Sequence, residues 1–237
     1  MFEAPAADVD RQSSARSKAF FLTIAATSRP KDRPMTTILH IDSSILGAYS
    51  VSRALTAAIV ARQQALHPDT RVIRRDLVVD AAMHLSGAHL AVYQGGEVGS
   101  PALGQDLATG SAYLDELFAA DIIVIGAPMY NFSIPSQLKG WVDRVSVAGR
   151  TFKYGPNGPE GLVHGKRAFV ASTRGGVYTG SSPAASLDHQ ETYLRGALAF
   201  IGVTDLTIIR AEGLALGDDS KVTAIDAAHT QIQALAA

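Results

Sequence analysis

The sequence predicts an α/β protein, a doubly wound parallel sheet of five strands with helices on both faces. Three observations carry that expectation. Residues 122–126 read Ile-Ile-Val-Ile-Gly, apolar at every position rather than at every second one, and such a strand must be covered on both faces, as strands of parallel sheets are. From Ile38 onward short apolar runs alternate with segments of helix length, the pattern of crossover connections. Several of these runs end in loops rich in Ser, Gly, Pro or Asn, and parallel sheets bind ligands beyond the carboxyl ends of their strands.

The elements follow in order. A strand at 38–42 opens the sheet, and a helix at 51–66 follows, with Leu55, Ala58, Ile59 and Leu66 at helical spacing and Pro68 and Asp69 to stop it. The second strand is expected at 71–76. Residues 81–110, with Gly95, Gly96, Gly99, Pro101 and Gly104, read as a long surface excursion, partly helical at each end, of a length usually reserved for function or mobility. A helix at 111–120 leads into the third strand at 121–126, and another at 136–148 leaves it. Phe152, Lys153 and Tyr154 followed by Gly-Pro-Asn-Gly-Pro predict a short strand and tight turn within 151–165. The fourth strand at 167–172, a helix at 187–201, the fifth strand at 205–211 and a helix at 221–235 complete the chain. Five strands spaced in this way suit the flavodoxin-like doubly wound order.

Composition narrows the chemistry. Of 237 residues, those at 1–34 look unlike the rest: two prolines and mixed charge at 27–34 resist regular structure. They are expected as a disordered extension or an over-extended gene start, with a single catalytic domain at 35–237. Charged residues make up 18% and the formal net charge is -1, so neither a basic face for nucleic acid nor an acidic one is expected and the partner is a small molecule. Cysteine is absent, which removes disulfides and thiolate chemistry, so redox work would need a cofactor. The apolar stretch at 19–26 is far short of the roughly 20 residues that span a bilayer. Glu3, Asp8 and Asp10 precede any basic residue, the wrong order for a secretory signal, and the cytoplasm is expected. His84 and His89 fit no zinc spacing and are expected at the surface, with no metal bound.

Three loops at the ends of the first, third and fourth strands suit three parts of one ligand. After the first strand, Ser43, Ser44, Ser50 and Ser52 crowd a helix start, where backbone N–H groups and hydroxyls could hold a phosphate without lysine; a plain helix cap explains Ser50 or Ser52 equally well. After the third, Pro128-Met129-Tyr130-Asn131-Phe132 offers a stiff backbone with aromatic and amide groups for one edge of a flat heteroaromatic ring. After the fourth, Thr173-Arg174-Gly175-Gly176 lets a ligand approach the backbone closely. Phosphate, ring edge and second ring edge together read as a flavin mononucleotide site. Trp141, alone on its helix, reads either as core or interface packing or as a flavin edge.

The strings Ser43-Ser44-Ile45-Leu46 with Tyr49-Ser50-Val51-Ser52, Ala127-Pro128-Met129-Tyr130-Asn131-Phe132, Gly158-Pro159-Glu160-Gly161-Leu162, Ser172-Thr173-Arg174-Gly175-Gly176 and Phe200-Ile201-Gly202-Val203-Thr204-Asp205 resemble, in this order, the bacterial FMN-dependent NADH:quinone oxidoreductase (azoreductase) family. The resemblance runs from Met35 to the C-terminus. It implies that Ser44, Ser50, Val51 and Ser52 bind the FMN phosphate, that Met129, Tyr130, Asn131 and Phe132 meet the isoalloxazine, and that Thr173, Arg174, Gly175 and Gly176 line its pyrimidine side. Thr173 stands where many members have serine and keeps the hydroxyl. Tyr154 and Phe200 would cover the substrate side of the ring. The family pattern further implies a homodimer, NADH or NADPH as donor, and quinones and azo compounds as acceptors in a ping-pong exchange, with no side chain required as acid or base and with solvent or Tyr130 supplying protons. An electron carrier of flavodoxin type would share fold and cofactor, but such carriers are usually strongly acidic. The 81–110 excursion departs from the family pattern.

Overall fold

Alternation along each central strand divides the core into two layers. In the computed structural model, which describes residues 35–236, Leu39, Ile41, Ile123, Ile125, Ala168 and Val170 pack on one face of the sheet, while Ile38, Ile122, Val124, Phe169 and Ala171 pack on the other. The predicted extension at 1–34 lies outside the described residues.

The strands are β1 (Thr36–Asp42), β2 (Thr70–Asp76), β3 (Ile122–Pro128), β4 (Phe152–Gly155), β5 (Gly158–Gly161), β6 (Arg167–Thr173) and β7 (Asp205–Ala211). The helices are α1 (Val51–Leu66), α2 (Gly87–Tyr93), α3 (Pro101–Ala119), α4 (Ser136–Val145), α5 (Gln190–Ile201) and α6 (Asp218–Gln233). Five strands form the main sheet in the order β2-β1-β3-β6-β7, every pair parallel. This is the predicted doubly wound order, with β1, β3 and β6 side by side. All seven residues of β3 are buried, which accounts for its unbroken apolar sequence. Leu55 and Ile59 of α1 and Ala228 and Ile232 of α6 cover one face; Leu114 and Leu117 of α3, Leu138 and Trp141 of α4, and Leu194 and Leu198 of α5 cover the other.

The predicted excursion at 81–110 holds two helical stretches, α2 and the first part of α3, joined by a loop at 94–100. Pro101 opens α3, Ser100 Oγ accepts the Leu103 N–H at 3.2 Å, and Gly104 sits inside the helix, while Gly95, Gly96 and Gly99 lie in the loop before it, as the sequence suggested. Gly110 makes room within α3, since a Cβ would lie 3.1 Å from Cδ of Arg144, a tight contact. The surface placement expected for His89 is overturned: it is 1% exposed. Its Nδ1 faces the Ser86 N–H and hydroxyl at 3.1 and 2.8 Å, so Nε2 carries the proton and donates to Asp106 Oδ2 at 2.9 Å. Arg144, also buried, donates to the same Asp106 oxygen at 2.5 Å and to the Met83 carbonyl at 2.8 Å. His84 is exposed, as expected. Trp141 is 1% exposed within the core, so it packs and does not edge a ligand.

The antiparallel hairpin β4-β5 appears where the turn residues predict it. It lies at the amino edge of the sheet, because α4 runs back from the carboxyl end of β3 before the hairpin begins. There Val163 N–H bonds the Ile201 carbonyl at 2.8 Å, and a Cβ on Gly161 would fall 2.2 Å from the Gly202 nitrogen, so hairpin and α5 meet backbone to backbone.

Candidate functional site

At the carboxyl edge, the loop after β1 is fixed before it meets any ligand. Ser43 Oγ donates to the Gly126 carbonyl at 2.6 Å. Arg53 reaches back from α1 to the Ser44 carbonyl through Nε and Nη2 at 3.1 and 2.9 Å, and grips Asp76 with both terminal nitrogens at 2.6 and 2.8 Å. That pair raises Arg53 above and lowers Asp76 below their ordinary values, mainly through the shared hydrogen bonds. Ser50 is the N-cap of α1, accepting the Arg53 N–H at 3.3 Å, and its hydroxyl lies 3.1 Å from that of Ser52. The N–H groups of Val51 and Ser52 are those that a helix start leaves without an intrahelical acceptor. Hydroxyls and helix dipole therefore converge on a place suited to an anion.

The loop after β3 is strained. The main chains of Tyr130 and Ser133 bond each other in both directions, at 2.9 and 3.1 Å, and the two residues between them, Asn131 and Phe132, have φ of 49° and 71°. This is the mirror-image tight turn that normally takes Asn-Gly. A bulky Phe there is an outlier, with strain of order 1–3 kcal/mol of the kind that concentrates at functional sites. The Tyr130 hydroxyl accepts the Ile45 N–H at 3.2 Å and lies 3.3 Å from Ser44 Oγ, tying this loop to the first. Met129 N–H bonds the Thr173 carbonyl at 2.8 Å, tying it to the third.

In the third loop every carbonyl turns inward. Those of Arg174, Gly175 and Gly176 accept the N–H groups of Leu214, Ala215 and Gly213 at 3.1, 2.9 and 2.9 Å. Among the described residues, the N–H groups of Gly175, Gly176 and Val177 have no acceptor, so the loop presents donors to whatever lies beside it. Arg174 itself departs from its expected role. Its side chain is wholly buried, donating to Ser172, Gln190, Glu212 and Asp188 at 2.9–3.1 Å and lying 2.6 Å from Glu191, while its own N–H bonds Ala211 at 2.9 Å. It anchors the loop from within, its buried guanidinium facing protein carboxylates.

A cleft of about 870 Å³ opens beside the first two loops, lined by Ile45, Met129, Tyr130, Asn131, Lys139 and Tyr193 among others. Its volume suits a ligand of cofactor or substrate size. Among the described residues, Lys139 is the only charged one lining it. Burial, then the nearby Asp143, pushes the Tyr193 phenol up to about 12, so it stays a neutral donor. The cleft stops short of Ser50, Ser52 and the paired glycines, which continue the site along the same edge.

The structure thus brings Ser44, Ser50, Val51, Ser52, Met129, Tyr130, Asn131, Phe132, Thr173, Gly175 and Gly176 to one edge of the sheet. It does not bring Tyr154 and Phe200 there. Both lie at the amino edge, where the Phe152 ring packs against Phe200 at 4.4 Å with the planes tilted by 45° and meets Tyr154 edge-on at 5.6 Å, with Tyr154 74% exposed. Sequence reasoning missed Glu212, Lys139 and Tyr193. Glu212 had a signal, being the first residue beyond a strand's carboxyl end; the other two sit on helices whose facing is set only by packing.

A family described as having a flavodoxin-like fold matches residues 36–236. The FMN-dependent NADH:quinone oxidoreductase of Sinorhizobium fredii is 57% identical over 195 residues, covering 82% of this chain and 94% of its own. The enzyme of that name from Methylocella silvestris is 53% identical over 201 residues, covering 84% and 98%. Among solved structures, an azoreductase from Bacillus anthracis str. Sterne superposes with a TM-score of 0.75 at 28% identity over 84% of this chain and 97% of its own. An FMN-dependent NADH-azoreductase from Bacillus anthracis str. Ames Ancestor, in complex with FMN, gives 0.75 at 25% identity over 84% and 96%. With a match to the fold over residues 36–236 and relatives more than half identical across nearly their entire length, the chain belongs to the family of FMN-dependent NADH:quinone oxidoreductases.

Proposed function

We propose that this protein is an FMN-dependent NAD(P)H:quinone oxidoreductase that also reductively cleaves aromatic azo compounds. The observation that carries the reading is the convergence at one sheet edge of an anion-binding helix start, a strained aromatic turn and a row of outward N–H donors. These residues fit FMN: Ser44, Ser50, Val51 and Ser52 its phosphate, Met129 to Phe132 one face of the ring, and Thr173, Gly175 and Gly176 its pyrimidine edge. FMN, when bound, supplies the two-electron chemistry between nicotinamide and acceptor.

The chain's own residues bind, orient and stabilise. The Gly175, Gly176 and Val177 N–H groups are preorganised donors for negative charge that develops at the ring edge on reduction. The Tyr130 hydroxyl accepts from Ile45 N–H and lies 3.3 Å from Ser44 Oγ; it serves as a tether between the two loops, and solvent at the cleft supplies protons. The cleft admits donor and acceptor in turn. Residues 35–237 form the catalytic domain and the cytoplasm is the expected compartment; among the described residues, no helix is long and apolar enough to cross a membrane. The protein acts as a homodimer. Tyr154 and Phe200, far from the loops of their own chain, would cover the substrate side of a flavin only when supplied by a second copy.

Two measurements test the reading. The purified protein is expected to carry flavin absorbance that NADH or NADPH bleaches, and double-reciprocal plots at several fixed quinone concentrations are expected to be parallel. Intersecting lines would replace ping-pong exchange with a ternary complex. A flavin that neither nicotinamide reduces would replace the enzyme with an electron carrier.

A further inference from the structure

Glu212 lies just beyond β7 and is 13% exposed at its side chain. Both of its carboxylate oxygens hold the loop that follows β6. Oε1 accepts from Arg174 Nη1 at 2.9 Å and from the Tyr178 N–H at 2.8 Å, and Oε2 accepts from the Thr179 hydroxyl. These contacts bracket Gly175, Gly176 and Val177, the residues whose N–H groups face outward. The carboxylate is therefore a clamp on both flanks of the donor row, and it touches neither the row nor the cleft.

Its charge also matters. Arg174 and Arg210 face three carboxylates, Asp188, Glu191 and Glu212, so this half-buried cluster holds one more negative charge than positive. Charges at partly buried sites are screened far less than exposed ones, and an excess negative charge beside a group that becomes more negative on reduction opposes that reduction.

We propose that Glu212 is a positioning residue that sets the Gly175–Val177 donors against the pyrimidine edge of the flavin and, through its charge, holds the flavin's reduction potential down. This rests on the FMN reading of the site, and clamp and charge separate experimentally. In Glu212→Gln the amide can still accept from Tyr178 and Arg174 and donate to Thr179, so the clamp survives and the charge is lost; Glu212→Ala loses both.

The test is fluorescence titration of FMN and riboflavin into apoprotein, with spectroelectrochemical potentials for the loaded forms. Glu212→Ala is expected to weaken both ligands about tenfold, the upper end for one lost hydrogen bond between neutral groups, and equally, because both share the pyrimidine ring. Glu212→Gln is expected to bind both as the parent does, yet to shift the potential upward by about 30 mV, a tenfold change in the equilibrium of a two-electron couple. Unchanged affinity in Glu212→Ala, weakening confined to FMN, or an unchanged potential in Glu212→Gln would each overturn the proposal. If Glu212→Ala does not fold, the Glu212→Gln potential alone decides. A parent protein that binds no flavin would instead overturn the FMN reading.

Discussion

The ring of Phe132 meets that of Tyr178 edge to face, centroids 6.2 Å apart and planes inclined at 72°. The contact joins the turn after β3 to the loop after β6, the two segments that flank the proposed ring site, and it is made by a residue whose backbone is strained. Phe132→Gly relieves the positive φ but loses a ring contact of about 0.5–1.5 kcal/mol and adds unfolded-state entropy of about 0.5–1 kcal/mol, so its stability should stay near that of the parent. Phe132→Val loses the ring and adds a β-branched side chain at φ 71°. The glycine variant is therefore expected to melt above the valine variant, while both bind FMN less well. The reverse order of melting would show that the turn is not under strain.

Replacing both Ser50 and Ser52 with Ala should weaken FMN by at least tenfold, since hydrogen bonds to charged groups contribute about 1.5–3 kcal/mol each. Riboflavin, which lacks the phosphate, should be little affected. Flavin titration of the double variant separates the two, and equal weakening would place the phosphate elsewhere. Some stability will fall too, because Ser50 caps α1, a contact worth roughly 1 kcal/mol.

Asp106 is a buried carboxylate with a pH signature. Burial alone would raise its pKa, but the Met83 N–H, His89 and Arg144 outweigh that and hold it below the ordinary carboxylate value. A lowered folded-state pKa means that the stability it contributes is fully present above the unfolded value of about 3.9 and is lost as pH falls through the folded one. Asp106→Asn leaves Arg144 without its anionic partner and should cost about 3–5 kcal/mol at neutral pH. Urea melts across the acid range should show a shallower loss of stability in the variant than in the parent. Parallel acid limbs would remove Asp106 from the linkage.

Light scattering is expected to find a dimer at micromolar concentration. Tyr154→Ser should then lower kcat/KM for quinone while flavin content and its reduction by NADH persist. A monomer with full quinone activity would remove the second copy from the site.

A chain beginning at Met35 is expected to match the full chain in melting temperature and flavin content, because the core starts at Thr37 and Ile38 of β1. Loss of either property would assign residues 1–34 a structural part.

The sequence by itself determined the sheet. β3 is apolar throughout because it is covered on both faces, and the β1, β3 and β6 loops could be placed together because parallel order follows from alternating strands and helices. Ser50 as an N-cap and the β4-β5 turn were legible for the same reason, since each depends on a few neighbouring residues. What only the tertiary structure decided depends on partners distant in the chain. Gly104 and Gly110 read as loop residues, yet both lie in α3, and at Gly110 a side chain would crowd Arg144, from another helix. His89 looked like a surface residue because its burial depends on Asp106 and Arg144 arriving from α3 and α4. Arg174 looked like a ligand contact because its motif carries no sign of the carboxylates that surround it. Tyr154 and Phe200 sit at the far edge of the sheet because α4 and α5 run back across it, a direction fixed by the crossover and invisible in the motif itself.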